Sequence, residues 1–337
     1  MTKKATIREV ANHVGVSVAT VSRVLNDSPH VSDDTKEKIL EAMEELNYAP
    51  RITARKLASG SPQMLAVVVP SFTTPYFNEV LKGIKDEIGK TDIDMMMYNT
   101  GSRNPEAGMR QFFNRGMADA VIILSIGVSD DIHKKLQATN TTTVLVNTSR
   151  PEYNYLQVDD YKGGYLAGEH LAKQGFKKVG IISAAQDPIP AVDRRRGFTD
   201  AVGEYGLEVD DAFLARGDTE KHGGFSEEAG FEAIKKFDAR NEFPEAIFCL
   251  NDTLAIGAMY ALSRLGKKVP EDIAVMGYDN IKLSKYHDLT TIDQNMYTIG
   301  VDAIKRMVEL NEGRGESLQQ KTLDPKLVER GSTRKID

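Results

Sequence analysis

The side chains with reactive potential are distributed in a way that excludes most enzymatic chemistry. Six histidines, His13, His30, His133, His170, His222 and His287, fall at no metal-ligand spacing, and there is neither a Gly-x-Ser-x-Gly elbow nor a Walker phosphate loop. The single cysteine, Cys249, sits in the apolar run Ala246 to Leu250, the setting of a buried, inert thiol rather than a nucleophile. What the chain does concentrate is positive charge near its start. Lys3, Lys4, Arg8 and Arg23 make one basic island and Arg51, Arg55 and Lys56 a second, while Asp33, Asp34, Glu37, Glu41, Glu44 and Glu45 lie between them, offset only by Lys36 and Lys38. Residues 1–62 carry a net charge of +1, against −7 for residues 63–337. Sorted islands of this kind suit contact with a phosphate backbone, with the acidic stretch turned away, although a solvated helix surface can carry the same charges. Far downstream, Asn251 and Asp279 each follow a short apolar run, where polar contacts gather at strand ends.

The elements that position the basic islands are legible in residues 6–46. Thr6-Ile7-Arg8-Glu9 reads as a capping box opening a short helix with Ile7, Val10, Ala11 and Val14 on its apolar face, and Gly15 ends it. Ser17 can cap a second helix that turns Val21, Val24 and Leu25 inward; Ser32, with Asp33 and Asp34, opens a third with Ile39, Leu40, Met43 and Leu46 inward. Two short helices joined by a tight glycine turn describe a helix-turn-helix, whose second helix enters the DNA major groove. A purely structural helical hairpin is the alternative.

At 337 residues, 41% hydrophobic and 27% charged, the chain is globular and too long for one average core. Beyond Ser61-Pro62, apolar runs at Leu65 to Val69, Met95 to Met97, Ala120 to Leu124 and Thr143 to Val146 alternate with helical stretches beginning near Tyr76, Pro105 and Asp130. A second series predicts strands at Val179 to Ser183, Phe213 to Ala215, Ala246 to Leu250 and Ile273 to Met276, with helices at Tyr161 to Lys173, Arg194 to Tyr205, Gly223 to Phe237 and Thr253 to Leu265. Repeated βαβ units imply two parallel-sheet lobes around a cleft. Neither a secretion signal nor an apolar run of membrane-spanning length is apparent, so a cytoplasmic protein without membrane contact is expected.

Thr6-Ile7-Arg8-Glu9-Val10-Ala11, followed by Gly15-Val16-Ser17-Val18-Ala19-Thr20-Val21-Ser22-Arg23-Val24-Leu25-Asn26, closely resembles the head of the lactose/galactose repressor family of bacterial transcription regulators. The likeness continues through Leu46-Asn47-Tyr48-Ala49-Pro50 and Ala54-Arg55-Lys56-Leu57-Ala58, and then along essentially the whole chain. It implies a helix-turn-helix domain over 1–47, a linker and hinge helix over 48–62, and an effector-binding and dimerisation domain over 63–337. The last should be α/β, a periplasmic-binding-protein-like pair of doubly wound lobes, one over about 63–160 and 293–323 and the other over about 161–292 and 324–337. DNA contacts are then expected from Thr6, Ser17, Val18, Ala19, Thr20, Ser22, Arg23, Asn26, Tyr48, Ala54, Arg55, Lys56 and Leu57, with Leu57 as a wedge between base pairs. Arg51 stands where many members have an asparagine cap for the hinge.

The effector is expected in the cleft, against Tyr76, Phe77, Asn147, Arg194, Asn251, Asp279 and Gln294. Arg194, in Asp193-Arg194-Arg195-Arg196-Gly197-Phe198, matches the family's effector arginine and offers its fork to vicinal hydroxyls or a carboxylate. Asn147 replaces an aspartate that many sugar-binding members use. The implied protein is a repressor, with no catalytic activity and no cofactor, that binds a pseudo-palindromic operator in double-stranded DNA as a homodimer. Its effector would be a small molecule, a sugar or sugar derivative; a nucleobase or a phosphorylated partner protein is the alternative controller, and a stand-alone solute-binding protein the alternative class.

Overall fold

The computed structural model describes residues 5–25, 30–46, 48, 64–184, 188–219, 221–315 and 317–334. By their contacts the residues divide into two units, Met1–Gln63 and Met64–Asp337. Asn26, Ala54, Arg55, Lys56 and Leu57, expected at the DNA, lie outside the described residues.

In the first unit, helices α1 (Ile7–Val14), α2 (Val18–Leu25) and α3 (Asp33–Glu45) enclose Val10, Ala11, Val21, Val24, Ile39 and Ala42. The capping box forms as the sequence predicts. The Thr6 hydroxyl accepts the Glu9 N–H at 3.4 Å, and the Glu9 carboxylate accepts the Thr6 N–H at 2.7 Å. Gly15 then takes a left-handed φ of 75° and stops the helix. Two details differ from expectation. The Ser32 hydroxyl bonds the Thr35 hydroxyl at 2.9 Å and leaves the helix N–H groups uncapped by its side chain. Leu40 is 46% exposed, with Ala42 buried in its stead, because the inward stripe runs through 39, 42, 43 and 46 and residue 40 is rotated by about 100° from residue 39.

The second unit carries two parallel sheets. Strands β1 (Met64–Val69), β2 (Asp94–Asn99), β3 (Ala120–Leu124), β4 (Thr142–Val146) and β5 (Asn154–Val158) alternate with helices α4 (Pro75–Ile88), α5 (Pro105–Arg115) and α6 (Asp130–Thr139). There follow α7 (Asp160–Lys173), β6 (Val179–Ser183), α8 (Ile189–Glu204), β7 (Leu214–Arg216), α9 (Glu227–Arg240), β8 (Ala246–Cys249), α10 (Asp252–Arg264) and β9 (Ala274–Met276). The chain closes with α11 (Lys282–Tyr286), β10 (Thr291–Asp293), α12 (Met296–Asn311), β11 (Gln320–Leu323) and β12 (Lys326–Val328).

One sheet runs β11-β5-β4-β3-β1-β2 and the other β7-β6-β8-β9, with β10 and β12 paired antiparallel apart from both. The first lobe therefore takes β11 and α12 from the end of the chain, since α12 packs on α4. Strands such as Ala120–Leu124 read as continuous apolar runs because both sheet faces are covered by helices. Helix α9 starts later than the apolar pattern predicts, at Glu227, where the Ser226 hydroxyl accepts the Ala229 N–H. Helix α8 starts earlier, at Ile189, after Pro188. Helices α7 and α8 cross closely: a Cβ on Gly164 would lie 1.9 Å from the Arg194 carbonyl oxygen, so only glycine fits there.

Candidate functional site

The residues of the helical head expected at the DNA differ in their exposure. Thr6, Ser17, Val18, Ala19 and Arg23 are exposed, with Thr20 and Ser22 half-buried. Ser17 caps α2, accepting the Thr20 N–H at 3.1 Å and bonding the Thr20 hydroxyl at 2.8 Å, so the first turn of that helix is rigid. Tyr48 packs against the head's own core.

In the larger unit, polar side chains gather where the strands of the two lobes end. Arg194, carried by α8 and buried, donates from Nε to Asp160 at 2.7 Å and from Nη1 to the Leu250 carbonyl at 2.8 Å. Nη1 also lies 3.7 Å from Asp279. The guanidinium covers the Tyr278 ring at 3.8 Å, and the Tyr278 hydroxyl donates to Asp160 at 3.1 Å. The expectation of a free arginine fork therefore needs correcting: Nε and Nη1 are spent on the protein, and only Nη2 has no partner among the described residues. Burial opposes the guanidinium charge, but Asp160, Tyr278 and Asp279 more than offset it and raise its pKa.

Burial pushes the Asp160 carboxyl above the usual carboxylate range, against the pull of Arg194. Asp279 is raised well above that range, by burial first and with the nearby Asp252 adding to it. Asp160, Asp252 and Tyr278 were not anticipated from the sequence. The paired Asp159-Asp160 after a strand, and Asp252 directly after Asn251, were the available signals.

The opposite wall is uncharged. Tyr76 and Phe77 open α4 with their rings edge-on at 5.2 Å, and both belong to the core of the first lobe. Burial pushes the Tyr76 hydroxyl's pKa up, with the charges of Asp160, Asp279 and Arg194 also felt there, and the hydroxyl makes no hydrogen bond among the described residues. Asn147 holds a left-handed φ of 54° after β4, and its buried Oδ1 has no partner among the described residues. Gln294 is fully buried on the crossover after β10; its Nε2 donates to Asp279 at 2.5 Å while its Oε1 has no partner among the described residues. Asn251 caps α10, its Oδ1 accepting the Leu254 N–H at 2.8 Å. Buried polar atoms without partners are costly, and three of the expected effector residues carry one.

Two sequence profiles match the chain: bacterial regulatory proteins of the lacI family over residues 6–51, and a periplasmic binding protein-like domain over residues 169–333. The HTH-type transcriptional repressor PurR of Mannheimia succiniciproducens is 31% identical over 339 residues, spanning 98% of this chain and 99% of that protein. The chain belongs to the lacI family. Among solved members of the lacI family, the Lac repressor dimer bound to operator and the anti-inducer ONPF superposes with a TM-score of 0.79 at 26% identity, covering 98% of this chain and 99% of that one. A lacI-family regulator from Enterococcus faecium with bound ribose gives a TM-score of 0.72 at 27% identity, over 81% of this chain and 100% of that one. The chain is thus a DNA-binding repressor of the lacI family, with a helix-turn-helix head and a periplasmic-binding-like two-lobed domain.

Proposed function

We propose that this repressor binds a pseudo-palindromic operator as a homodimer and is switched by an uncharged, polyhydroxylated effector of the sugar type held between the lobes. The observation that carries the effector class is the set of unpaired buried polar atoms on Tyr76, Asn147 and Gln294, beside an arginine already neutralised by the protein. Ligand hydroxyls donate and accept, which suits unpaired amide oxygens and a phenol. A phosphate or carboxylate would instead meet Asp160 and Asp279 with no unpaired cation to offset the buried charge. The ribose seen in the Enterococcus faecium relative agrees with this class.

Pairing of two chains is supported by the operator-bound dimer of the Lac repressor. A groove lined by Phe231, Ile256, Met259 and Tyr260, with Tyr260 60% exposed, leaves apolar surface available for it. Each recognition helix reads only a short half-site, so two are needed for useful specificity. A lobe rotation on effector binding would move the two heads relative to each other, and by linkage operator DNA must change effector affinity by the same factor.

The test is a thermal-shift screen of sugars, their phosphates, sugar acids and nucleobases on the full chain, followed by gel shifts on a palindromic operator probe. Stabilisation by an uncharged sugar, and altered operator affinity with it, is expected. A sugar phosphate or a nucleobase as the best stabiliser would overturn the effector class, and failure to bind any palindromic probe would overturn the paired half-site reading.

A further inference from the structure

Asp252 opens α10 and is fully buried. Its oxygens accept three hydrogen bonds: the Ile281 N–H at 2.9 Å and the Ser284 hydroxyl at 2.5 Å on Oδ2, and the Thr291 hydroxyl at 2.6 Å on Oδ1. Its own N–H donates to the Tyr278 carbonyl at 2.7 Å. These partners belong to two segments that also pair directly, the Gly277 N–H donating to the Thr290 carbonyl at 2.9 Å and the Asn280 Nδ2 to Asp293 at 3.1 Å. Residues 278–284 carry Asp279, whereas Thr291 begins β10, which leads directly to Gln294. The Asp279 N–H donates to the Ile292 carbonyl at 2.9 Å, and the Asn280 N–H to the Thr291 hydroxyl at 3.3 Å. Asp252 therefore ties both segments to one carboxylate, beside the backbone pairing in which the Asp279 carboxylate meets the Gln294 amide.

We propose that Asp252 is a positioning residue of the effector site, fixing the loop that carries Asp279 onto the interlobe crossover that carries Gln294 and setting how readily the two separate. This rests on reading Asp279 and Gln294 as effector contacts, and it adds the regulation of that site. Three donors and no acceptor around the carboxylate match its ionised form. Burial opposes that charge and pushes the carboxyl up to about 6. The charged groups facing it are Asp279 from the loop and Arg330 from the C-terminal segment, while β8 adds the Cys249 thiol, pushed up by burial. Helix α11 and strand β10 contribute only the Ser284 and Thr291 hydroxyls. Separating the loop from the crossover hydrates Asp252 and returns it to the ordinary carboxylate range. The closed junction consequently holds a proton more tightly than the open one; it is favoured as pH falls through about 6 and opens more readily above it.

Amide hydrogen exchange on the full-length chain without ligand, corrected for intrinsic rates, reads this opening in residues 277–284 and 288–295. Wild type is expected to open on the order of tenfold more at about pH 7.5 than at about pH 5. Asp252→Asn should show no such step. Thr291→Val, which removes the hydrogen bond to Asp252 and the one accepted from the Asn280 N–H, should open on the order of tenfold more at either pH, and Thr291→Ser should restore the wild-type level. Residues 160–173 and 189–204 should exchange alike in all four chains. A pH step that is missing from wild type or persists in Asp252→Asn, a Thr291→Val chain that matches wild type, or loosening spread equally over 160–204 would each overturn the proposal. Because no ligand is used, a failed sugar screen and a failed exchange experiment refute different statements.

Discussion

The two walls of the cleft are built on opposite principles. The wall from the first lobe offers Tyr76 and Asn147, neutral groups with buried polar atoms left unpaired. The wall from the second lobe offers Asp160, Arg194 and Asp279, ionisable groups already engaged with one another. Buried charge is tolerable only when its partners are fixed, so it belongs on elements that do not move relative to each other: α7, α8 and the ends of β8 and β9. Unpaired neutral groups cost less and can wait for a ligand. For the proposed effector, the second-lobe wall would hold the shape of the site and the first-lobe wall would close over it, with Gln294 on the crossover bonded to Asp279.

The comparison breaks most easily at Arg194. Replacing it with Ala leaves Asp160 and Asp279 buried without their counter-charge, and about 3 to 5 kcal/mol of stability should be lost in urea denaturation. Such a variant would be unsuitable as a clean test of effector response, whereas Tyr76→Phe from the other wall would serve. A loss below about 1 kcal/mol, the range of an exposed pair, would mean that the charged wall is not the rigid one.

Overpacking sharpens the contrast at the next level. Gly164→Ala places its Cβ against the Arg194 carbonyl, and Gly300→Ala, in α12, places one 2.1 Å from the Val80 carbonyl. Each should cost about 1 to 3 kcal/mol, but only Gly164→Ala presses on Arg194, an effector contact in the proposed function. Calorimetric titration with a stabilising sugar should therefore show weaker binding in the first variant and near-normal binding in the second.

His170 supplies a pH test confined to the second lobe. Its Nε2 bonds the Thr333 hydroxyl at 2.8 Å, and burial lowers its pKa. The unfolded chain then binds a proton that the folded chain refuses, so stability should fall as pH drops below the ordinary histidine value of about 6.5, by at most about 1.4 kcal/mol per pH unit from this group. His170→Gln should flatten that part of the pH profile in chemical denaturation.

The smallest expected effect is Tyr76→Phe. Deleting a hydroxyl without a partner removes a desolvation cost, so stability should stay level or rise by up to about 1 kcal/mol, while affinity for a hydroxylated effector falls about tenfold. Lost stability would mean that the hydroxyl is satisfied in the unliganded protein and that the neutral wall is not waiting for a ligand.

The sequence by itself determined whatever depends on neighbours along the chain. The capping box at Thr6 and Glu9, the stop at Gly15 and the buried strands Ala120–Leu124 and Val179–Ser183 are local matters of hydrogen bonding and apolar run length, and they are found where the residues say. The resemblance carried Arg194 and the strand-end position singled out Asp279, and the structure brings these two together. What the chain order could not convey is how a long-range partner is already used. Asp160 meets Arg194 across 34 residues and Tyr278 across 118, and Asp252 meets Thr291 across 39. Whether an arginine fork is free for a ligand, whether Leu40 or Ala42 faces the head's core, and which carboxylate ties the effector loop to the crossover were decided by tertiary packing, because a buried polar or apolar group takes its role from whichever atoms the fold places within a few ångströms of it.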